Sequence, residues 1–347
     1  MRIPAERLVA FSTAVFEAVG IAADHAAITS RRLVEADLRG RTGHGLIRLE
    51  PYVRRIAAGG VNRRPNMQVV HQTPVSAQID ADNGLGQVAM TMATDIAIAK
   101  AEGTGMAWVG TVRSNHAGAA GLYPAMAARR GLIGMYVAVA NANAMPPWGG
   151  NARVLGTNPL AIAIPAGDQP PFQLDIATTV ASHGTIKVAA QAGREMPTGW
   201  VIDAEGHPIT DPERAHEGFL MPIGGYKGAG LNIAIGLLAG VLNGAAFGAA
   251  VVDHATDQTT PTNTGQALLV MRPDLFMPAG EALAGVARHL DELRRSGSNR
   301  GEPLRLPGDR AAELEAENGA TGIPVPDALR DGLLALGARL GITEQLT

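Results

Sequence analysis

Along the first sixty residues apolar side chains recur every three or four positions, the spacing of one helix face. They do so in three stretches, Pro4 to Val19, Ala23 to Leu38 and Leu46 to Ala58, the last stopped by Gly59-Gly60. From Met67 the pattern shortens to β-rich runs: Gln68 to His71, Val75 to Ile79, Met106 to Val112, Leu132 to Ala140 and Leu160 to Ile164. A helical stretch, Val88 to Ala101, lies between two of them, and one more strand is predicted over Gln266 to Met271. Helices then return at Glu281 to Arg295, Ala311 to Asn318 and Asp327 to Leu340. The pattern predicts an α/β region over 67–274 and a discontinuous helical lobe built from 1–66 and 275–347. Gly and Pro crowd 141–171 and 196–230, which read as loops that shape a site, and no internal repeat is present.

Gly230 to Val252 carries no charge and is long enough to raise the question of a membrane span. Its Asn232 and Asn243, its several glycines and the lack of an aromatic belt favour a buried helix running into a Gly-rich turn and a strand. No membrane partner is expected. Composition narrows the rest. A chain of 347 residues, 46% hydrophobic and 18% charged, can bury a large core. The net charge of −3 and the scattered Arg pairs give no reason to hold nucleic acid. Without cysteine there is no disulfide framework, thiolate metal site or cysteine nucleophile, so catalysis must draw on His, carboxylates, Lys, hydroxyls and a cofactor. Pro4 and Glu6 interrupt the apolar run that a signal peptide needs, which points to the cytoplasm. No two histidines stand four apart on a helix beside a carboxylate, so no metal site is expected, and no Gly-x-Ser-x-Gly elbow occurs.

The nearest approach to a dinucleotide fingerprint is Gly84-Leu-Gly86-Gln-Val-Ala89, with Glu102 farther on. The acid falls at the end of the helix rather than at a second strand tip where it could meet a ribose, so tight turns and helix packing explain the glycines better. Other constellations carry more chemistry. His44 and Arg48 are spaced to share one face of a helix starting near Gly45: an imidazole can exchange a proton with a substrate oxygen while a guanidinium fork grips a carboxylate. The alternative is a helix-start histidine beside a surface arginine. Ser114-Asn115-His116-Ala117-Gly118-Ala119-Ala120-Gly121 follows a strand and precedes a helix, either a ligand-approach loop or a plain turn. Gly156-Thr157-Asn158-Pro159 and Asp175-Ile176-Ala177-Thr178 could offer polar groups to a ribose or a nicotinamide amide, although turn chemistry predicts the same residues. Gly224-Gly225-Tyr226-Lys227-Gly228 opens a helix like an anion cradle, or like a close helix contact with a solvated lysine.

In this order the motifs resemble those of the type-2 malate/L-lactate dehydrogenase family, over nearly the whole chain. The carriers are Ala36-Asp37-Leu38-Arg39-Gly40 with His44-Gly45 and Arg48-Leu49, then Ser114-Asn115-His116, Pro147-Trp148-Gly149-Gly150, Gly156-Thr157-Asn158-Pro159, Asp175 to Thr178, Gly225 to Gly228 and Pro307-Gly308-Asp309. The resemblance implies an α/β fold with a mixed sheet that is not Rossmann, NAD(H) or NADP(H) as cofactor, and a homodimer with its site near the subunit boundary. It implies hydride transfer to or from a small 2-hydroxy or 2-oxo carboxylic acid. A cyclic imino acid reductase and a degenerate dinucleotide- or metabolite-binding protein remain as alternatives. By resemblance His44 is the proton donor or acceptor, with His116 taking that role in some branches. Arg48 becomes the carboxylate clamp, and His183-Gly184 part of the substrate wall. The cofactor falls to His116, Ala117, Gly118, Ala119, Ala120, Thr157, Asn158, Asp175, Ile176, Ala177, Tyr226, Lys227, Arg305, Pro307, Gly308, Asp309 and Arg310. Three departures stand out: Gly43 where the family has Ser, Thr185 where it has Asp or Lys, and Ala117 where a large aromatic is common. Loss of the first two removes partners that support an imidazolium, so His44 is expected to titrate low. The third implies extra room near the nicotinamide and a bulkier substrate.

Overall fold

A computed structural model describes residues 1–299, 301–342 and 346, without the side chains of His183 and Gln191. Strand β1 (Arg2–Ile3) leads into α1 (Ala5–Ala18) and α2 (Ala23–Leu38), and two short 3-10 turns precede α3 (Leu49–Ala57). The middle of the chain runs β2 (Gln68–Thr73), β3 (Ser76–Asp80), α4 (Gly86–Thr104), β4 (Met106–Val112), α5 (Leu122–Ala128), β5 (Ile133–Ala138), β6 (Leu160–Ala166) and β7 (Gln169–Ile176). Next come α6 (His183–Gln191), β8 (Val201–Ile202), β9 (Phe219–Leu220), α7 (Tyr226–Ala239) and β10 (Gln266–Met271). The remaining elements are α8 (Ala279–Arg295), α9 (Asp309–Thr321), β11 (Ile323–Pro324) and α10 (Asp327–Leu340).

Helical periodicity does what it predicts at the amino-terminal end. In α1 the buried positions are Leu8, Phe11, Ser12, Val15 and Phe16, one continuous stripe, and α2 turns Leu33 and Val34 toward it. The distant α10 supplies Leu333 and Leu336 to the same core, and β11 pairs antiparallel with β1, so segments far apart in sequence close one helical core. By contrast α8 lies on β6 and α9 contacts α2 and β7.

The main sheet has seven strands in the order β2-β3-β4-β10-β5-β6-β7. Every neighbouring pair is antiparallel except β3 and β4, which run parallel through the crossover helix α4. The sheet is therefore mixed, and a single parallel pair is not the doubly wound arrangement of a Rossmann fold. Helices α4 and α5 cover one face through Met90, Ala93, Ala97, Tyr123 and Ala127; α7 covers the other through Ile235 and Ala239.

Three predicted elements change. The expected helix from Leu46 begins as a 3-10 turn and becomes α-helical only at Leu49. Beyond α7 no strand forms: Val241–Asn243 and Gly248–Ala250 are 3-10 turns, because the buried Asn243 amide donates to the Thr111, Ala239 and Gln266 carbonyls and pulls the chain out of extended geometry. Strand β7 runs through Pro170-Pro171, where a loop was predicted; an edge strand tolerates prolines whose missing N–H faces no partner. The uncharged stretch from Gly230 is largely α7, and among the described residues no helix is long and apolar enough to cross a membrane.

Candidate active site

His44 is not on α3. It ends the 3-10 turn Thr42–His44, and the chain turns at Gly45 before starting again at Leu46. The cause lies in α2, where the buried Asp37 carboxylate accepts the Leu46 N–H at 2.8 Å and lies so close to Gly45 that a Cβ there would stand 1.9 Å from Oδ1. A helix running through Gly45 would need that space. Burial lifts the Asp37 carboxyl to about 7. Arg48 reaches back to the same turn, its Nε donating to the Gly43 carbonyl at 2.7 Å, while Nη1 and Nη2 have no partner among the described residues. The guanidinium is thus anchored at one edge and open at the fork. At Gly43 an added Cβ would meet nothing within 4 Å, so packing does not exclude a serine there.

The second histidine arrives from the sheet. Past β4 the chain bends at Arg113, a non-glycine residue at φ 51°, into Ser114-Asn115-His116. The Asn115 amide donates to the Asn83 carbonyl and side-chain oxygen and to the Gly84 carbonyl, and its own oxygen accepts from the buried Arg55 Nε at 3.1 Å. Arg55 spends its other nitrogens on the Asp257 and Thr260 carbonyls at 2.7 Å each, which ties the loop after α7 to α3. Gly86 lies so tightly on this bend that a Cβ would fall 2.0 Å from the Asn115 carbonyl oxygen. The glycines of the fingerprint-like run therefore serve packing, Gly86 against the His116 loop and Gly84 against Pro65 and Met67.

Held in this way, the His116 ring stacks on that of His44, with centroids 5.7 Å apart and planes 10° from parallel. Its Nδ1 faces the Tyr52 hydroxyl at 2.6 Å and the Gly118 N–H at 3.2 Å, and the Gln87 amide donates to Tyr52 at 2.9 Å. Burial, with the Arg48 and Arg41 charges, lowers His44 to about 4. The expected direction is found, but its main cause is desolvation rather than the loss of a relay partner. Burial, then the charges of Arg48, His44 and His254, hold His116 well below the usual imidazole range, and burial pushes Tyr52 up to about 12. At neutral pH the site therefore presents two uncharged imidazoles, an intact phenol and a guanidinium.

The residues expected around the cofactor divide into three groups. One continues from His116. A Cβ at Gly121, closing the small-residue run from Ala117, would fall 2.8 Å from Gln173 Nε2 and 2.9 Å from Asp175 Oδ2, so the backbone there packs directly against the side chains of β7. Asp175 is mostly buried, with Arg41 3.6 Å away, and desolvation raises its carboxyl. Ile176 and Ala177 line a cavity of about 320 Å³ with Thr179, Ser182, Thr185 and Ile223. Gly184 lies in the first turn of α6, between Ser182 and Thr185 in sequence; the side chain of His183 lies outside the described residues.

A second group is at the surface. Tyr226 and Lys227 are exposed at the start of α7, just beyond Ile223. Pro307 accepts the Gln173 N–H at 2.9 Å, which seats the Pro307-Gly308 corner on β7 two residues from Asp175. Arg305 and Arg310 are exposed, each paired with Glu313, and Asp309 is engaged by Arg294 at 2.8 Å and by the Leu306 N–H.

The third group faces inward. The fully buried Asn158 accepts the Ala140 N–H and donates to the Asn232 carbonyl and side-chain oxygen, so this amide braces β5, β6 and α7 rather than facing a ligand. The Thr157 carbonyl takes the Thr178 N–H and hydroxyl. Ala117 is packed in the sheet core and its carbonyl is held by the Tyr123 hydroxyl. Tyr52, Gln87, Asp37 and Arg41 escaped assignment from sequence. Tyr52 did carry a signal, since His44, Arg48 and Tyr52 recur every four residues.

Comparison with known proteins gives the family of the chain. Residues 3–334 match the malate/L-lactate dehydrogenase family model. The L-sulfolactate dehydrogenase of Methanocaldococcus jannaschii is 37% identical over 305 residues, covering 88% of this chain and 86% of its own. Its solved structure superposes with a TM-score of 0.91 at 33% identity, over 99% of this chain and 98% of that one. The ureidoglycolate dehydrogenase (NAD(+)) of Escherichia coli K12 is 39% identical over 257 residues, 74% of this chain and 73% of that protein. The (2R)-3-sulfolactate dehydrogenase (NADP(+)) of Chromohalobacter salexigens is 33% identical over 325 residues, 93% and 94% of the two chains.

Proposed function

The chain belongs to the malate/L-lactate dehydrogenase family, and from that premise we propose that it moves a hydride between NAD or NADP and a small 2-hydroxy or 2-oxo acid, with His44 exchanging the proton and Arg48 holding the carboxylate. The observation that carries this reading is the open Arg48 fork beside two neutral imidazoles. A carboxylate can take two parallel hydrogen bonds from Nη1 and Nη2, which leaves its C2 oxygen within the imidazole pair. In oxidation, a neutral His44 accepts the hydroxyl proton; in reduction, the protonated ring returns it.

The dinucleotide would be held by the largely buried Asp175 carboxylate, suited to ribose hydroxyls, and by Lys227 with the α7 N-terminus, suited to phosphate. Ile176 and Ala177 would border it, and the Pro307-Gly308 corner closes the far side. When bound, the nicotinamide ring takes the hydride from C2 or delivers it there. The imino acid alternative finds less support. Thr185, where that branch carries an acid, closes on Ser182 at 2.9 Å within the α6 cap and brings no carboxylate to His44.

Arg48→Lys is the direct test. A point charge cannot replace the fork, so KM for hydroxy and oxo acids should rise about tenfold to a hundredfold with a smaller change in kcat. Unchanged steady-state constants, read from nicotinamide absorbance, would remove Arg48 from the site.

The same reading places the enzyme in the cytoplasm, beside the soluble nicotinamide pool, and makes it a homodimer. Support for a second copy comes from α7 and the turn after it, where Leu237, Leu238 and Val241 are exposed and Leu242 is 77% exposed. Trp148 and Tyr226, 55% and 64% exposed, extend the apolar surface toward the start of that helix. Leu242→Arg should raise the dimer dissociation constant at least about tenfold, since a side chain worth about 1.5–3 kcal/mol of burial is replaced by a charge. Sedimentation velocity across a concentration series checks it; a sedimentation profile identical to wild type would place the contact elsewhere.

A further inference from the structure

The two stacked imidazoles are not equivalent. The Gly118 N–H points at His116 Nδ1 from 3.2 Å, and a backbone amide can only donate, so Nδ1 must be the unprotonated, accepting nitrogen. The Tyr52 hydroxyl, 2.6 Å from the same lone-pair edge, must then also donate. With its single proton committed, the Tyr52 oxygen needs a donor from elsewhere, and the Gln87 amino group at 2.9 Å is that donor. Each step forces the next, whichever way round the Gln87 amide is drawn. On the opposite edge of the ring, Nε2 has no protein partner among the described residues. His44 carries no such constraint: no protein group is bonded to either of its ring nitrogens among the described residues.

We infer that Gln87 and Tyr52 are positioning residues that, together with the longer Gly118 N–H bond, hold His116 as its Nε2–H tautomer, making it a fixed hydrogen-bond donor to the substrate's C2 oxygen and leaving proton exchange to His44. The inference rests on the hydride-transfer reading above and deepens it by giving the two histidines separate tasks. In this tautomer Nε2 already bears the ring proton and has no lone pair to accept another, and protonation at Nδ1 would displace its two donors and make the ring a cation, which burial and the nearby Arg48 oppose. It can polarise a carbonyl and hold a developing alkoxide. In the oxidation direction the hydroxyl proton passes to a ring nitrogen of His44, the C2–H electron pair leaves as hydride to the oxidised nicotinamide, and the new carbonyl oxygen stays hydrogen-bonded to His116 Nε2–H. One hydride and one proton leave the hydroxy acid, and the charges balance.

The test begins with the ligand-free full chain, with histidine labelled with ¹⁵N and the His116 signals assigned by their loss in His116→Gln. Long-range ¹H–¹⁵N correlation should show a pyridine-type Nδ1 and a pyrrole-type Nε2 at neutral pH; a pyrrole-type Nδ1 overturns the inference. Gln87→Glu then reverses the chain without changing its shape, because a carboxylate in place of the amino group accepts the Tyr52 proton and takes it from His116. With only the longer Gly118 N–H bond left on Nδ1, the His116 nitrogens should move part of the way toward the mixed-tautomer average, and kcat should fall about tenfold to a hundredfold while KM for the acid changes little. Tyr52→Phe should move both readouts in the same direction. Wild-type nitrogen shifts and wild-type kcat in Gln87→Glu would overturn the lock. Absence of turnover on every hydroxy and oxo acid would instead sink the hydride-transfer reading and leave the tautomer result standing.

Discussion

Replacing His44 by glutamine is expected to cut kcat for a hydroxy acid by about 10²–10⁴-fold, the usual contribution of a positioned acid or base, while the dissociation constant for the nicotinamide cofactor stays near that of the native enzyme. Its pH dependence makes the result diagnostic. Burial and the flanking Arg48 and Arg41 charges hold His44 at about 4, so the ring is neutral and able to accept a proton throughout the physiological range. In the oxidation direction kcat/KM, which reports the free enzyme, should decline only as pH falls through about 4 and should be flat above it. His44→Gln should erase that acid limb along with most of the rate. A limb near the ordinary imidazole value, or a limb that survives the substitution, would assign the titration to another group. Stopped-flow absorbance at the reduced nicotinamide band gives both readouts.

The second large effect comes from a single methyl group. Gly45→Ala places a Cβ where the Asp37 carboxylate lies, 1.9 Å from Oδ1 and 2.2 Å from the carboxyl carbon. Asp37 is buried and bonded to the Leu46 N–H, so it cannot swing into solvent, and the turn bearing His44 must move instead. Overpacking of this kind costs about 1–3 kcal/mol of stability. A displacement of about 1 Å at a reacting group costs about a hundredfold in rate, so kcat/KM should fall by at least that factor. Adding Asp37→Ala to Gly45→Ala should recover the stability lost to crowding but not the partner of the Leu46 N–H, and activity should return only in part. Thermal denaturation and steady-state kinetics on the three variants separate the two contributions. If Gly45→Ala alone matches wild type in both, the turn is not held from α2.

How much of this could be read from residue order depends on distance along the chain. The amphipathic stripe of α1, the alternation in β3 and the apolar run of β10 are local, and the structure has those elements within a few residues of their predicted bounds. His44 and Arg48, four residues apart, were legible as a pair for the same reason. Their geometry was not, because the break at Gly45 is imposed by Asp37, which lies in another helix and whose side chain carries no sign of where it will point. Tyr52 and Gln87 acquire meaning only when α3 and α4 bring them against a loop that begins at the end of β4. Asn158 misled in the opposite sense. An Asn in a Gly-Thr-Asn-Pro turn suits a ligand contact, yet the chain around Asn232 consumes its hydrogen bonds. Local pattern predicts elements; side chains that meet across elements decide what a site can do.

The closure of the helical core by α10 and by the β1–β11 pair bears on the order in which this molecule is made. As the polypeptide leaves the ribosome, the apolar stripes of α1 and α2 emerge long before Leu333 and Leu336, which complete their burial. The intervening sheet is synthesised before that burial can be completed, which leaves part of an apolar face uncovered in the nascent chain. The turn that carries His44 and Arg48 is rooted in the same core, through Leu46 and Leu49. The support beneath that turn is therefore complete only when translation has delivered α10.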